Sequence, residues 1–221
     1  MFCVAIVWLA GCTSLSPLRS NSAANPENSV VTRSDYKLAF IEFGEQGSYQ
    51  DPTQLTKALD LIRDTERPLV ITYVHGWQNN AKSGDVEKFE SLLTRLQSAP
   101  AIRGVGFHVV GIYLSWRGKL TAVPVLKELS FWSRKATAER LASNYDCYDA
   151  IASISEESRK HGTGRQYTVL LGHSFGGLIV ERAVAHAVNA EIHGHADADR
   201  SMPADLMIVV NPAADSIWPG K

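Results

Sequence analysis

Between Tyr167 and Val188 the chain passes from a short apolar run, "YTVLL", through "GHSFGG" and straight into "LIVERAVAHAV". The first run is rich in β-branched and aromatic residues and is short, which reads as a buried strand. The last carries apolar residues nearly all round at helical spacing, with Glu181 and Arg182 as its charges, which reads as a largely buried helix. A strand that becomes a helix within about two residues must pass through a positive-φ conformation, and small neighbours must let the backbones pass. Gly172 and Gly176 supply that room, and Ser174 stands at the apex. Its hydroxyl is then exposed and its neighbouring N–H groups lie at a helix N-terminus, where developing negative charge is favoured. This is the geometry of a nucleophile.

The rest of the chain alternates in the same way. "YKLAFIEF", "PLVITYVHGW", "HVVGIYLSW" and "DLMIVVNP" read as strands. Between them "QLTKALDLIRD", "GDVEKFESLLTRLQSA" and "SRKATAERLASNYDCYDAIASISEESRK" read as helices. In the second of these Phe89, Leu92, Leu93 and Leu96 share one face, with Asp85 near its start. Such alternation predicts an α/β domain, a mostly parallel sheet with helices on both faces, over residues 36–221. Ligands of such sheets bind beyond the carboxyl ends of the strands, here after Val74, Leu114 and Val210 and at Ser174. An N–H from the first of these loops, "HGWQNNA", and the N–H after the nucleophile would form an oxyanion hole; Trp77 and Phe175 are the candidates. The side chains of His75 and Trp77 could equally line a pocket or pack over the sheet end.

A net charge of −1 and the lack of a basic cluster exclude a nucleic-acid surface and favour small or neutral ligands. No metal or cofactor is expected. The first dozen residues, "MFCVAIVWLAGC", are apolar but too short to span a bilayer. "LAGC" resembles the lipobox of bacterial lipoproteins, which implies a signal peptide over 1–12 and a lipid on Cys12. No Lys or Arg follows Met1, so this reading puts the true start upstream. Residues 13–35, rich in Ser, Asn, Ala and Pro, read as a flexible tether. Thr13 in place of aspartate points to the outer membrane of a cell envelope that has two. Cys3 would leave with the signal, and Cys147 is assigned no role.

"VHGW", the "GHSFGG" elbow and the interval between them resemble the α/β-hydrolase superfamily, and "VHGWQNNA", "LSWRG" and "FWSRKATAERL" resemble a bacterial lipoprotein branch of it. The resemblance spans about Tyr36 to the end. It implies hydrolysis of a carboxylic ester or related acyl compound, with Ser174 as nucleophile, Trp77 and Phe175 holding the oxyanion, and His75, Gly76, Gly172, His173 and Gly176 as motif residues.

A serine needs a base and an orienting acid. The family order places both after the serine, but Lys221 follows what would be the sixth strand, so the last two strands are expected to be absent. His186, twelve residues beyond Ser174 on a helix, would lie roughly 18 Å away. His108, His161, His193 and His195 fall at the opposite end of the sheet, and His75 and His173 are built into the motifs. Asp215 is a candidate acid and equally an ordinary surface aspartate. The stretch 118–132 could form a lid or pack on the sheet. Two readings follow: a lipid-anchored serine hydrolase impaired in this 221-residue form, or a non-catalytic relative that binds or scaffolds. In either, "LMIVV" would be a hydrophobic edge strand open to homo-association.

Overall fold

The computed structural model describes residues 16–118, 124–160, 166–193 and 202–213. Strands β1 (Val30–Thr32), β2 (Lys37–Glu42), β3 (Pro68–Val74), β4 (His108–Ser115), β5 (Tyr167–His173) and β6 (Leu206–Val210) form one sheet in the order β1-β2-β4-β3-β5-β6. All neighbours are parallel except β1, which runs antiparallel to β2. The fold is therefore α/β with a mostly parallel sheet.

Helix α2 (Gly84–Ser98) covers one face through Val86, Phe89 and Leu93, packed on Leu38, Phe40, Ile71, Tyr73 and Tyr113. Helices α1 (Thr53–Arg63), α4 (Pro124–Ser143), α5 (Tyr145–Lys160) and α6 (Phe175–Ile192) cover the other, around Ile41, Val70, Val74, Ile112 and Leu170. Every residue of β3 is buried, as a run of seven apolar and β-branched positions between two neighbours requires. Among the described residues strand β6 has a neighbour on one side only, and Leu206 is 52% and Val210 46% exposed.

Three features differ from or add to the sequence reading. Residues 133–160 are two helices, not one, because the chain leaves the helix at Asn144, whose side chain caps α5 by accepting the Asp146 N–H at 2.8 Å. A short helix, α3 (Pro100–Val105), intervenes before β4; Pro100 suits its first position and Gly106, at φ 76°, its end. The segment read as a flexible tether is held on the domain from Ser16 onward. Leu18 and Arg19 N–H groups donate to the Glu42 carboxylate at 2.9 and 2.7 Å, and the Phe40 N–H donates to the Ser29 carbonyl at 2.8 Å. Low hydrophobicity predicted disorder, but these residues gain order through backbone bonds to buried acceptors, which composition does not register. The lipobox, Cys12 and residues 13–15 lie outside the described residues.

Strand order reverses around β3: the chain crosses by α2 to β4 on one side, then by α4 and α5 to β5 on the other. The crevice of such a sheet opens at the carboxyl end of the strand where the order switches. Register levels the strand ends there, since Val74 pairs with Leu114 and Gly172, and His173 with Val210.

Candidate active site at the strand-to-helix elbow

Ser174 occupies the single residue between β5 and α6 with φ 54°, a left-handed conformation that costs a non-glycine residue about 1–2 kcal/mol. The strain is held from three sides. The Ser174 N–H donates to the Val210 carbonyl at 3.0 Å, and its carbonyl accepts the N–H groups of Gly177 at 2.9 Å and Ala213 at 3.2 Å. A Cβ on Gly172 would stand 2.7 Å from the Gly176 oxygen, and one on Gly176 2.0 Å from the Val74 oxygen. Both expected glycines are thus places where backbones touch. A third, Gly76, would put a Cβ 2.8 Å from that of Ser174, so the β3 loop passes directly over the nucleophile. Ser174 itself stays partly exposed.

The loop after β3 is shaped from beneath by His75. The ring is fully buried and stacked between Tyr113 and Trp116, with centroids 5.4 and 5.6 Å away. Its Nε2 accepts the Trp116 backbone N–H at 3.1 Å, so Nδ1 carries the proton and donates to the Gly76 carbonyl at 2.9 Å. The Trp116 indole N–H donates back to the His75 carbonyl at 3.0 Å. Burial pushes this imidazole down to about 4, so it is neutral at pH 7. Of its two readings, His75 takes the packed one: it braces the loop and cannot reach solvent or substrate. The Gln78 N–H donates to the Gly118 carbonyl at 2.9 Å and completes the fixation.

Among the described residues neither the Trp77 nor the Phe175 N–H has a backbone acceptor. Both belong to segments that converge on Ser174, one through Gly76 and the other as its successor at the N-terminus of α6. Sequence reasoning missed Phe131 on α4, whose ring lies 5.2 Å from both Trp77 and Phe175 and joins the two segments that carry the candidate oxyanion donors. Its signal was there, an aromatic pair "FW" just before a helical run, but helix periodicity alone does not say which end of the sheet a residue meets. Arg134, almost fully buried, ties this part of α4 down by donating to the Arg117 carbonyl at 2.8 Å and pairing with Glu45 at 2.7 Å.

The described histidines take separate places. His173 projects to the α2 side, where with Asp85, Lys88, Phe89, Leu92 and Leu171 it lines a cavity of about 310 Å³. Asp85, read only as a helix-start acid, accepts the Tyr73 and Tyr113 hydroxyls at 2.9 and 3.1 Å; burial first, then this carboxylate, raises both phenols far above their ordinary range. The His186 ring lies tilted against Tyr148 with centroids 4.5 Å apart, and the His193 ring contacts the Asn189 carbonyl at 2.8 Å. His108 opens β4 at the far end. His161, His195 and Asp215 lie outside the described residues, as do positions 119–123 of the stretch considered as a lid. Among the described residues no base meets the Ser174 hydroxyl.

No protein-family model matches the chain, and neither a curated protein nor a solved structure matches it.

Proposed function

We propose that the chain is a serine hydrolase of the α/β-hydrolase type, acting on carboxylic esters or related acyl compounds and held to a cell envelope by a lipid on Cys12. One observation carries the reading: a serine strained into positive φ between a parallel strand and a helix N-terminus, with a second loop delivered to it at a glycine. Such strain persists only where the surroundings over-determine it, and it clusters at reactive residues. The Ser174 oxygen attacks the acyl carbon, and the oxyanion forms facing the Trp77 and Phe175 N–H groups. The ester C–O bond then breaks and the alcohol departs with the serine proton. Water cleaves the acyl-enzyme and returns a proton to Ser174. A donor of this kind is worth about 3–4 kcal/mol in the transition state.

Attack by Ser174 needs a base to take the hydroxyl proton, and none meets it among the described residues. Binding and the oxyanion donors by themselves supply about 10³–10⁴-fold over water. The test is turnover of a short-chain aryl ester by the purified chain beside Ser174→Ala. Slow hydrolysis that vanishes in the variant is expected. Hydrolysis that survives it would overturn the nucleophile. That no base meets Ser174 among the described residues is what favours the second reading, a binding module, for which no Ser174-dependent turnover would be seen at all.

A further inference from the structure

We propose that the N-terminal strap fixes the orientation of the domain on its membrane, so that the mouth over Ser174 opens onto the bilayer and the acyl group it receives belongs to a membrane-resident amphiphile. This rests on the lipid anchor and the nucleophile proposed above.

The strap enters the domain at the site end of the sheet. The Arg117 guanidinium donates to the Ser16 carbonyl. The Leu18 and Arg19 N–H groups bind the Glu42 carboxylate, and the Arg19 side chain donates to the Ala81 carbonyl at 2.9 Å while lying 3.8 Å over the Phe40 ring. Glu42 ends β2, Ala81 sits in the loop after β3, and Arg117 follows β4. Glu42, Ala81 and Arg117 are thus at or beyond the carboxyl end of a strand, with the Phe40 ring two residues short of it, and this is the level of Ser174, which follows the last residue of β5. From there the chain descends to β1, antiparallel to β2. The Glu42 carboxylate is almost fully buried and takes a third donor from the Gln54 amide at 3.2 Å. Lifting the strap would leave that charge without two of its donors, which a buried carboxylate resists strongly.

The reach of the chain before Ser16 limits where a lipid could sit. Cys12 is four residues from Ser16, a span of at most about 14 Å when fully extended. Ser174 is three strand spacings from β2, about 14 Å across the sheet. A lipid on Cys12 therefore holds the site end, and not the opposite end, against the membrane. An independent surface feature lies at that same end. Trp132 is 71% exposed beside Phe131, which touches Trp77 and Phe175, and the Lys135 ammonium lies 5.8 Å from its ring. An exposed indole suits the headgroup layer, where an amphipathic ring is partly dehydrated.

The test expresses the full chain in a bacterium that processes lipoproteins and reconstitutes it in phosphatidylcholine vesicles containing nitroxide-headgroup lipid. Fluorophores are placed at Lys82→Cys, at the site end, or at Glu66→Cys, at the far end; Cys147 is buried and does not compete. Intact mass first reports whether Cys12 carries a lipid, and a chain lipidated elsewhere or not at all would sink the anchor itself. With the lipid in place, the label at position 82 should be quenched several-fold more than that at 66. Equal quenching would overturn the orientation while leaving the anchor intact. Ser174-dependent release of acyl chains from vesicle lipid should fall several-fold in Cys12→Ser, with turnover of a soluble short-chain ester unchanged; an equal fall in both, or in neither, would overturn the membrane substrate.

Discussion

Replacing Gly176 by alanine tests how closely the elbow approaches β3. The added methyl would stand 2.0 Å from the Val74 oxygen, 2.6 Å from its carbonyl carbon and 2.8 Å from the His75 oxygen. Restoring ordinary contact requires the two backbones to separate by about 1.4 Å. No rotamer change can absorb this, because the atoms met are backbone of a strand bonded on both sides to β4 and β5. The cost should reach or exceed the top of the overpacking range, about 3 kcal/mol, which lowers the midpoint of a domain this size by about 6–12 °C. Gly84→Ala is the control: at the start of α2 a Cβ meets nothing within 4 Å, so helix propensity gains up to about 1 kcal/mol. Thermal melts followed by circular dichroism compare the two. A Gly176→Ala chain melting within a degree or so of its parent, or no less stable than Gly84→Ala, would refute the close approach and with it the placement of the loop over Ser174.

Ser174→Gly should match or exceed the parent in stability, because relief of about 1–2 kcal/mol of left-handed strain outweighs the extra entropy of an unfolded glycine. Ser174→Ala keeps its Cβ and should show no such gain; denaturant midpoints ranking alanine above glycine would contradict the strained apex. His75 makes stability depend on pH. Its folded value near 4 lies below the unfolded 6.5, so the folded chain binds fewer protons. The contribution is complete above about pH 6.5 and drains away as pH falls toward 4, by about 3 kcal/mol in all. Urea unfolding across that range should lose this slope in His75→Asn, and an unchanged slope would mean the ring is not the buried neutral brace. Cys147, fully buried and pushed up to about 12, should resist iodoacetamide in the native state and react only in denaturant, as read by intact mass; rapid native labelling would show that α5 packs otherwise.

The parallel order was legible because its signals are local: a seven-residue apolar run reads as a central strand, and a glycine two residues on either side of a serine marks close backbone passage. The same locality is what marked Ser174, Trp77 and Phe175 as candidates. What escaped was set by distant partners. The strap of residues 16–29 has the composition of a linker and is ordered by Glu42 and Asp51, carboxylates far along the chain whose appetite for N–H donors no window of sequence reveals. Phe131 and the Asp85 bridge between two tyrosines were missed for the same reason, since each acquires its role from the neighbour that tertiary packing supplies. His75 shows the reverse case. Its polarity invited a pocket role, but the two aromatic rings and the backbone groups around it use up its chemistry.

The most direct test of the central claim is the position of a covalent adduct. Incubated with a fluorophosphonate, the full chain should form one Ser174 Oγ–P bond with loss of fluoride, slowly but to completion. Peptide mass spectrometry would place the label within the segment spanning Gln166 to Arg182 and show it missing from Ser174→Ala. A label on another residue, or an unmodified Ser174 after prolonged exposure, would contradict the assignment of this elbow as a nucleophile.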